Sequence, residues 1–545
     1  MRRRRRRRPP ALRSGRSPLS GLLVAQLSLV GLLATYLALF VDVPRSAPAR
    51  RVVFAALVVF TALLTVSTLH ALSASGGTAA RISHHLPLLA AGGLAVAVFL
   101  TAATWLAWRY PDWAMPVVVV LAPLRIELPL GSTTSDLLIP LYMVLIAVAI
   151  AELLVRDRLR VPAERPRDPL RLAFAVMMAV IGLSMLWIGH RYATLDKGFA
   201  DALVKLFAFY LPFGVLYYVI FRYVTDTRRL WRLLVTFVGA GVVLAVIGII
   251  QYPTHLVIVN RAGVEHDLAL QHTFRSNALF WDPNMYGRFL GLVMLVGIAL
   301  LLAIRLREDG PARVRGLWLT GGAVVLAAIA LVVTFSRSSV AGLLLGAVVL
   351  ELAWLGRRRG TVAALLTVLV LAGGITGLTA VRHPQNIRTK LTTVRGWNKI
   401  TGGRVYLMEA GVFMFEKHPL EGLGLAQFPL AYPHFRHTHA ASLAVRDSHT
   451  TVLTVAAEQG TIGLLAFAAL LATFFATTAG RRRFGADRRL YLWQAGLVAC
   501  VVSILVHSMT YNAFFEDPYL WLFTALASAV AVRLATSPAA ASRPR

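Results

Sequence analysis

"RDSHTTVLTVAAEQGTIGLLAFAALL" (residues 446–471) sets a compact polar cluster, Arg446-Asp447-Ser448-His449, directly against a long apolar run. The run that starts at Thr451 is long enough to cross the roughly 30 Å of a bilayer's hydrocarbon, and Glu458-Gln459-Gly460 interrupts it. Polar groups at a bilayer boundary are costly unless they are paired or hydrated. The stretch therefore reads as a membrane helix with chemistry gathered at its mouth.

The rest of the chain agrees with that reading. Of 545 residues, 57% are hydrophobic and 15% charged, too little polar surface for a soluble domain of this size. Apolar runs of spanning length recur from 19–41 to 518–535, about 14 in all (12–15). The expected fold is all-α, a polytopic transmembrane helical bundle. Residues 111–130 carry Pro111, Pro116, Pro123 and Pro129 around Arg125, and read instead as a broken or re-entrant segment.

A formal net charge of +31 would point to nucleic acid in a soluble protein. Here the arginines fall in short loops between apolar runs, which the positive-inside rule explains, so no nucleic-acid partner is expected. The opening "MRRRRRRRPPALRSGRS" precedes a span directly and reads as a cytoplasmic anchor on anionic lipid, making membrane lipids a partner. The basic loops 156–171, 222–232, 305–315, 356–360 and 480–489, with both termini, are expected on the cytoplasmic side of the inner membrane. The segments 190–200, 253–284, 336–339, 381–450 and 511–519 then face outward together. Loop 41–51 goes outward as well, in spite of its arginines.

The chain divides accordingly into a basic tail (1–18), N-terminal spans (19–155), a central region (156–380), one large extracytoplasmic loop (381–450), C-terminal spans (451–536) and a short tail (537–545). Only the 381–450 loop has the length of a small subdomain. Within it Val405, Met408, Val412 and Phe415 recur at three- and four-residue steps, predicting an amphipathic helix that ends before Pro419 and lies along the membrane surface. Cys500 is the single cysteine, so there is no disulfide framework within the chain.

Four clusters on the outward side have the residues for chemistry. In "HTFRSNALFWDPNMYGRFL" (272–290), Arg275, Asp282, Asn284 and Arg288 crowd a helix start, where free N–H groups suit an anion; the plainer reading is a capped helix with proline at its first turn. In "LVVTFSRSSVAGLLLG" (331–346), Ser336 and Arg337 lie in a very tight turn between two spans. A guanidinium there suits a diphosphate through forked hydrogen bonds, or else snorkels to lipid head groups. In 402–428, Arg404, Glu409 and His418 interrupt an apolar helix, and Gly422 and Gly424 allow a tight turn; His418 before Pro419 reads as structural. In the opening stretch Asp447 lies close enough in sequence to orient His449, whose imidazole can accept a proton near neutral pH. A solvated loop histidine is the bland alternative.

Other chemistries find little footing. There is no Walker-type loop, no HExxH, no zinc spacing of Cys and His, and no GxSxG in a strand-turn-helix setting. The pair His437 and His439 lacks a carboxylate set, so neither metal nor cofactor is expected.

Taken in order, "FWDPNMYGRF" (280–289), "TFSRSSVAGLLLG" (334–346), "GRVYLMEAGVFMFEKHPLEGLGLAQF" (403–428), "DSHTTVLTVAAEQGTIGLLAF" (447–467) and "HSMTYNAFFEDPYLWLFTALASA" (507–529) resemble the O-antigen ligase / O-antigen polymerase-like membrane glycosyltransferases over roughly residues 270–530. The resemblance implies a glycan donor carried on a lipid (undecaprenyl) diphosphate and transferred to an acceptor hydroxyl at the outer face, without nucleotide sugar or required metal. It implies His449 as general base, oriented by Asp447, and Arg337, Arg404, Arg275 and Arg288 on the donor diphosphate. Asn284, Glu458 and Ser336 would be supporting residues, and attack opposite the leaving group would invert the anomeric carbon. The family's histidine is usually followed by asparagine; here Thr450 follows His449. A ligase is the first reading and a repeat-unit polymerase the second, while a transporter or flippase of lipid-linked substrates is the rival from another class. That rival predicts charges near mid-membrane and internal repeats; Asp201 and Lys205 are its best support. No oligomeric state is assigned.

Overall fold

The computed structural model describes residues 18–41, 47–73, 86–130, 133–155, 168–188, 197–271, 274–382, 393, 404–435, 448–479, 484 and 487–534. Among these, nine helices are long and apolar enough to cross a membrane, and five shorter apolar helices accompany them. The expected all-α character holds apart from one antiparallel hairpin, Ile126–Leu130 against Thr133–Leu137, with Glu127 opposite Asp136. It follows the short helix Pro111–Leu121, so the proline-rich segment is broken as its composition predicts.

The elements run α1 (Pro18–Val41), α2 (Ala47–Ser73), α3 (Leu86–Arg109), α4 (Pro111–Leu121), the hairpin β1 and β2, α5 (Ile139–Val155), α6 (Pro169–Leu183), α7 (Lys197–Lys205), α8 (Leu211–Tyr223), α9 (Thr227–Thr254) and α10 (Arg261–Gln271). They continue with α11 (Pro283–Arg305), α12 (Pro311–Val332), α13 (Arg337–Arg382), α14 (Arg404–Lys417), α15 (Phe428–Phe435), α16 (Thr451–Thr478), α17 (Arg488–His507) and α18 (Pro518–Ala529). A π-turn over Leu206–Tyr210 joins α7 to α8, and Gly356 kinks the long α13.

Helices α11, α17 and α18 are buried on nearly every side, whereas α2 and α12 present mostly apolar surface outward. A helix hydrophobic all round belongs in the interior of a bundle. Trp318 and Leu319 on α12 and Val243 on α9 are among the large exposed apolar side chains, as expected of a lipid-facing perimeter. Aromatic side chains lock the centre: Phe237 meets Phe289, Tyr519 and Phe523 edge to face, and Phe174 stacks on Trp521 at 4.5 Å.

One end of the bundle collects the basic connections. Asp168 caps α6 and accepts hydrogen bonds from Tyr217 (2.7 Å) and Ser528 (2.8 Å). Arg229 pairs with Asp112, Arg488 donates to the Trp354 carbonyl and Arg489 to that of Leu306. The other end carries the turns around Arg275, Ser336, Gly424, His449 and Tyr511. The described parts of 274–284, 336–339, 448–450 and 511–512 are joined there by hydrogen bonds, Arg275 to Thr334 and Asn284, Ser339 to Asn284, and Thr450 and Thr451 to the turn carrying Met509 and Asn512.

The first two helices differ from expectation. Gln26 donates to the Leu186 carbonyl (2.7 Å), Tyr36 donates to the Leu211 carbonyl (2.6 Å), and Phe40 packs on Tyr217 at 5.9 Å. Helix α1 therefore starts at the end where Leu186 and Gly424 lie and finishes at the basic end, opposite to the predicted direction. These side-chain contacts override a direction read from charge alone. They also bring Arg50 and Arg51, at the start of α2, to the same end as the other basic loops. The tail before Pro18 lies outside the described residues.

A candidate active site at one end of the bundle

The start of α11 anchors the site. Asp282 is its N-cap, accepting from the Asn284 amide (2.6 Å), with Pro283 at the first turn. Asn284 in turn holds Arg275, whose Nη2 donates to Asn284 Oδ1 (2.8 Å) and whose Nε donates to the Thr334 carbonyl (2.9 Å). The plain capping role and the arginine cluster are thus one arrangement.

The loop that delivers Arg275 is fixed from beneath by Gln251, which is buried on α9. Its Oε1 accepts from the amides of Asn277 (2.9 Å) and Ala278 (2.8 Å), and its Nε2 donates to Asn277 Oδ1 (3.0 Å). Asn277 Nδ2 donates to the carbonyls of Val259 and Phe280. Ala278 sits at φ 48°, in the left-handed region, and the Gln251 bond to its amide helps hold it there.

Ser336 and Ser339 close the turn before α13, Oγ to Oγ at 2.7 Å, and Ser339 Oγ donates to the Asn284 carbonyl (3.1 Å). The turn rests on Gly287, where a Cβ would lie 2.8 Å from Ser339 Oγ and 3.0 Å from Ser336 Cβ. Arg337 is exposed at the first position of α13, and no acidic group pairs with it among the described residues. Snorkelling and ligand binding both require that exposure.

Arg404 opens α14, half-buried. Burial foremost, and then the like charges of Arg337 and Arg275, push its guanidinium below the usual arginine range, while Asp282 and Tyr511 act the other way. Three cations thus share one electrostatic neighbourhood, an arrangement that favours an incoming anion. The predicted helix is present over Arg404–Lys417: Leu407, Ala410, Gly411 and Met414 face the protein, while Met408 and Val412 of the expected stripe are exposed on another side.

His449 lies half-buried in the turn before α16, at φ 56°. The two residues after it are tied to the turn that follows α17. Thr450 Oγ1 donates to the Met509 carbonyl (3.1 Å), the Thr451 amide to the Ser508 carbonyl (3.0 Å), and Thr451 Oγ1 to Asn512 Oδ1 (2.9 Å). That turn carries Tyr511, with its ring 6.2 Å from the His449 ring and within electrostatic range of Arg404. Thr450, in the place of the family's asparagine, thus supplies a backbone anchor. Asp447 lies outside the described residues.

Glu458 is buried and accepts from the Phe428 amide (3.2 Å), while its carbonyl accepts from the Gly424 amide (2.7 Å). The break after it serves this contact. Gly460 has φ 63°, and a Cβ there would lie 2.3 Å from the Leu420 carbonyl oxygen; at Gly422, φ 71°, it would lie 2.4 Å from the Glu458 carbonyl carbon. Backbone meets backbone here, which binds the loop after α14 to α16. His418 pairs with Glu421 at 3.4 Å in the same loop. Lys205 pairs with Glu516 at 3.0 Å, so the cation that a transporter reading relied on is neutralised locally.

Arg288 stands apart from the other arginines. It forms a buried ion pair with Asp517, Nε to Oδ2 at 2.9 Å. His507, wholly buried at the end of α17, lies within electrostatic range of both Arg288 and Arg404, and its ring is 5.7 Å from Tyr511. Neither Asp517 nor His507 was singled out from the sequence. The signal available was their place within the quoted 507–529 segment. No group of three or more His, Cys, Asp or Glu side chains able to hold a metal occurs among the described residues.

Comparison with curated proteins gives no match. Residues 322–468, which include Ser336, Arg337, Arg404, His449 and Glu458 but neither the α11 residues nor His507, match the family model described as O-antigen ligase. Over these residues the chain is similar to the O-antigen ligase family, and its described residues hold nine helices long and apolar enough to cross a membrane, as in a multi-pass membrane protein.

Proposed function

We propose that the protein transfers a glycan from a lipid diphosphate donor to an acceptor hydroxyl at the outer face of the cytoplasmic membrane. The observation that carries this reading is the meeting of Arg275, Arg337 and Arg404 in one electrostatic neighbourhood, next to the turn that packs on His449. The guanidiniums stabilise the negative charge that develops on the departing diphosphate, the kind of electrostatic term that dominates many enzymes. His449 removes the acceptor proton as its oxygen attacks the anomeric carbon from the face opposite the diphosphate. The C–O bond to the lipid diphosphate breaks as the new glycosidic bond forms, and configuration inverts. Asp447 orients His449. In this reading no metal takes part, because the arginines supply the positive charge that a divalent cation supplies elsewhere.

Ligation of a finished polymer and polymerisation of repeat units share this donor chemistry and differ in the acceptor; the family match supports both equally. The length distribution of lipid-linked glycans in cells lacking the protein separates them. Build-up of long unattached chains supports ligase, build-up of single repeat units supports polymerase, and an unchanged pool contradicts both.

A further inference from the structure

Four aromatic rings meet at the end of the bundle that carries the arginines, and the reaction as proposed leaves them without a task. Phe335 lies between Ser336 and Thr334, whose carbonyl accepts from Arg275 Nε, and it precedes Arg337 by two residues. Its ring is 6.2 Å from that of Tyr252, and Tyr252 reaches Phe274 at 6.4 Å. Phe274 directly precedes Arg275, and His255 stacks on it at 4.4 Å. The rings and the Arg275 loop are thus one assembly.

Two of the four rings are held out at a conformational cost. Phe335 and His255 are both exposed, and both lie in the left-handed region, at φ 50° and φ 53°. His255 ends α9 in a conformation usually left to glycine, and for a phenylalanine it is an outlier. Such strain gathers at ligand clamps and persists only where the surroundings enforce it. Here they do: the Phe335 amide donates to the Val332 carbonyl (3.1 Å), the Ser276 amide to that of Val333 (3.1 Å), and the His255 amide to that of Gln251 (2.9 Å). Core packing does not explain an exposed phenyl ring on a strained and well-tied turn.

The faces and edges of the rings specify what covers them. An aromatic face is negative and attracts C–H groups. A pyranose offers C–H groups on its face and hydroxyls around its rim. Tyr252 and His255 carry polar edges that hydrogen-bond hydroxyls, which a lipid chain does not use. The first sugar of a lipid-linked glycan is bonded to the diphosphate itself. With that diphosphate on Arg275 and Arg337, the sugar comes to the turns that carry these rings.

We infer that Phe335 and His255, backed by Tyr252 and Phe274, form a stacking platform for the sugar bonded to the donor diphosphate. The inference rests on the lipid diphosphate reading above and adds a glycan subsite to it. The bare lipid diphosphate left after transfer lacks the stacked sugar, so product binds more weakly than donor and leaves.

The test uses the full chain in lipid nanodiscs and two probes, polyprenyl diphospho-N-acetylglucosamine and the bare polyprenyl diphosphate. Native protein should bind the first about tenfold more tightly, the effect of one good aromatic stacking contact. Phe335→Gly removes the ring and suits the left-handed backbone, so it should fold. It should lose most of the preference and bind the bare lipid as the native protein does, while Phe335→Tyr, which keeps the face, should retain it. His255→Ala should lower the preference in part. Equal weakening of both lipids by Phe335→Gly would assign the rings to the lipid chain and overturn the platform. A preference unchanged in Phe335→Gly and His255→Ala, or native protein that binds the two lipids alike, also overturns it and leaves the donor reading standing. If Phe335→Gly fails to fold, an unchanged preference in His255→Ala is the overturning result. A native protein that binds neither lipid overturns the donor reading and the platform together.

Discussion

Arg288 and Asp517 face each other at 2.9 Å, with 4% and 1% of their side chains exposed. They join the second turn of α11 to the start of α18. Removing one member of such a pair leaves a buried charge without its partner, which costs about 3–5 kcal/mol. Asp517→Asn should therefore lower the thermal midpoint of the detergent-solubilised protein substantially. The double variant Arg288→Met, Asp517→Leu should recover most of that loss while remaining inactive, and fluorescence-monitored melting of the three proteins checks it.

Arg337 should behave in the opposite way. It is exposed and makes no ion pair with an acidic side chain among the described residues, so Arg337→Ala should change stability by no more than about 0.5 kcal/mol. Turnover should fall by about 10²-fold or more, the usual effect of removing one electrostatic stabiliser of a developing charge. Steady-state transfer kinetics and a melting curve on the same preparation measure both quantities.

Gln251 touches no proposed substrate group, yet it fixes the loop carrying Arg275 through three hydrogen bonds to Asn277 and Ala278. Gln251→Leu should leave two buried amides unpaired, at about 1–3 kcal/mol each. It should also lower transfer by misplacing Arg275. Donor titrations that show a raised half-saturation with Gln251→Leu, but not with a lipid-facing control such as Val243→Ala, would establish the positioning role.

Gly460→Ala tests the break in α16. A Cβ would meet the Leu420 carbonyl oxygen at 2.3 Å, and the backbone is left-handed at φ 63°. The substitution should separate the 420–424 loop from α16 and increase protease cleavage between α14 and α16. Gly239→Ala, where a Cβ meets nothing within 4 Å, is the control and should be silent.

Much of this arrangement was legible in the sequence, for reasons particular residues make plain. Arg337, Arg404 and His449 stood out because a polar side chain at the edge of an apolar run needs a partner or water. The left-handed turns at Gly422 and Gly424 followed from glycine's conformational freedom. The direction of α1 was not legible, since Gln26 and Tyr36 act through long-range contacts that a count of loop charges does not register. The face that α14 turns to the protein was not legible, because Leu407, Ala410, Gly411 and Met414 repeat at the same spacing as Met408 and Val412 on the exposed side. His507 escaped notice because burial, not sequence context, distinguishes it from an ordinary helix-end histidine.

The central claim is that His449 removes the acceptor proton in a transfer from a lipid diphosphate. The most direct measurement is the single-turnover rate of glycan transfer by purified His449→Ala protein with saturating donor and acceptor, alongside donor affinity in the same preparation. Loss of a general base costs about 10²–10⁴ in rate, so the account predicts a fall of that size with donor affinity unchanged. Transfer at the native rate by His449→Ala would contradict it.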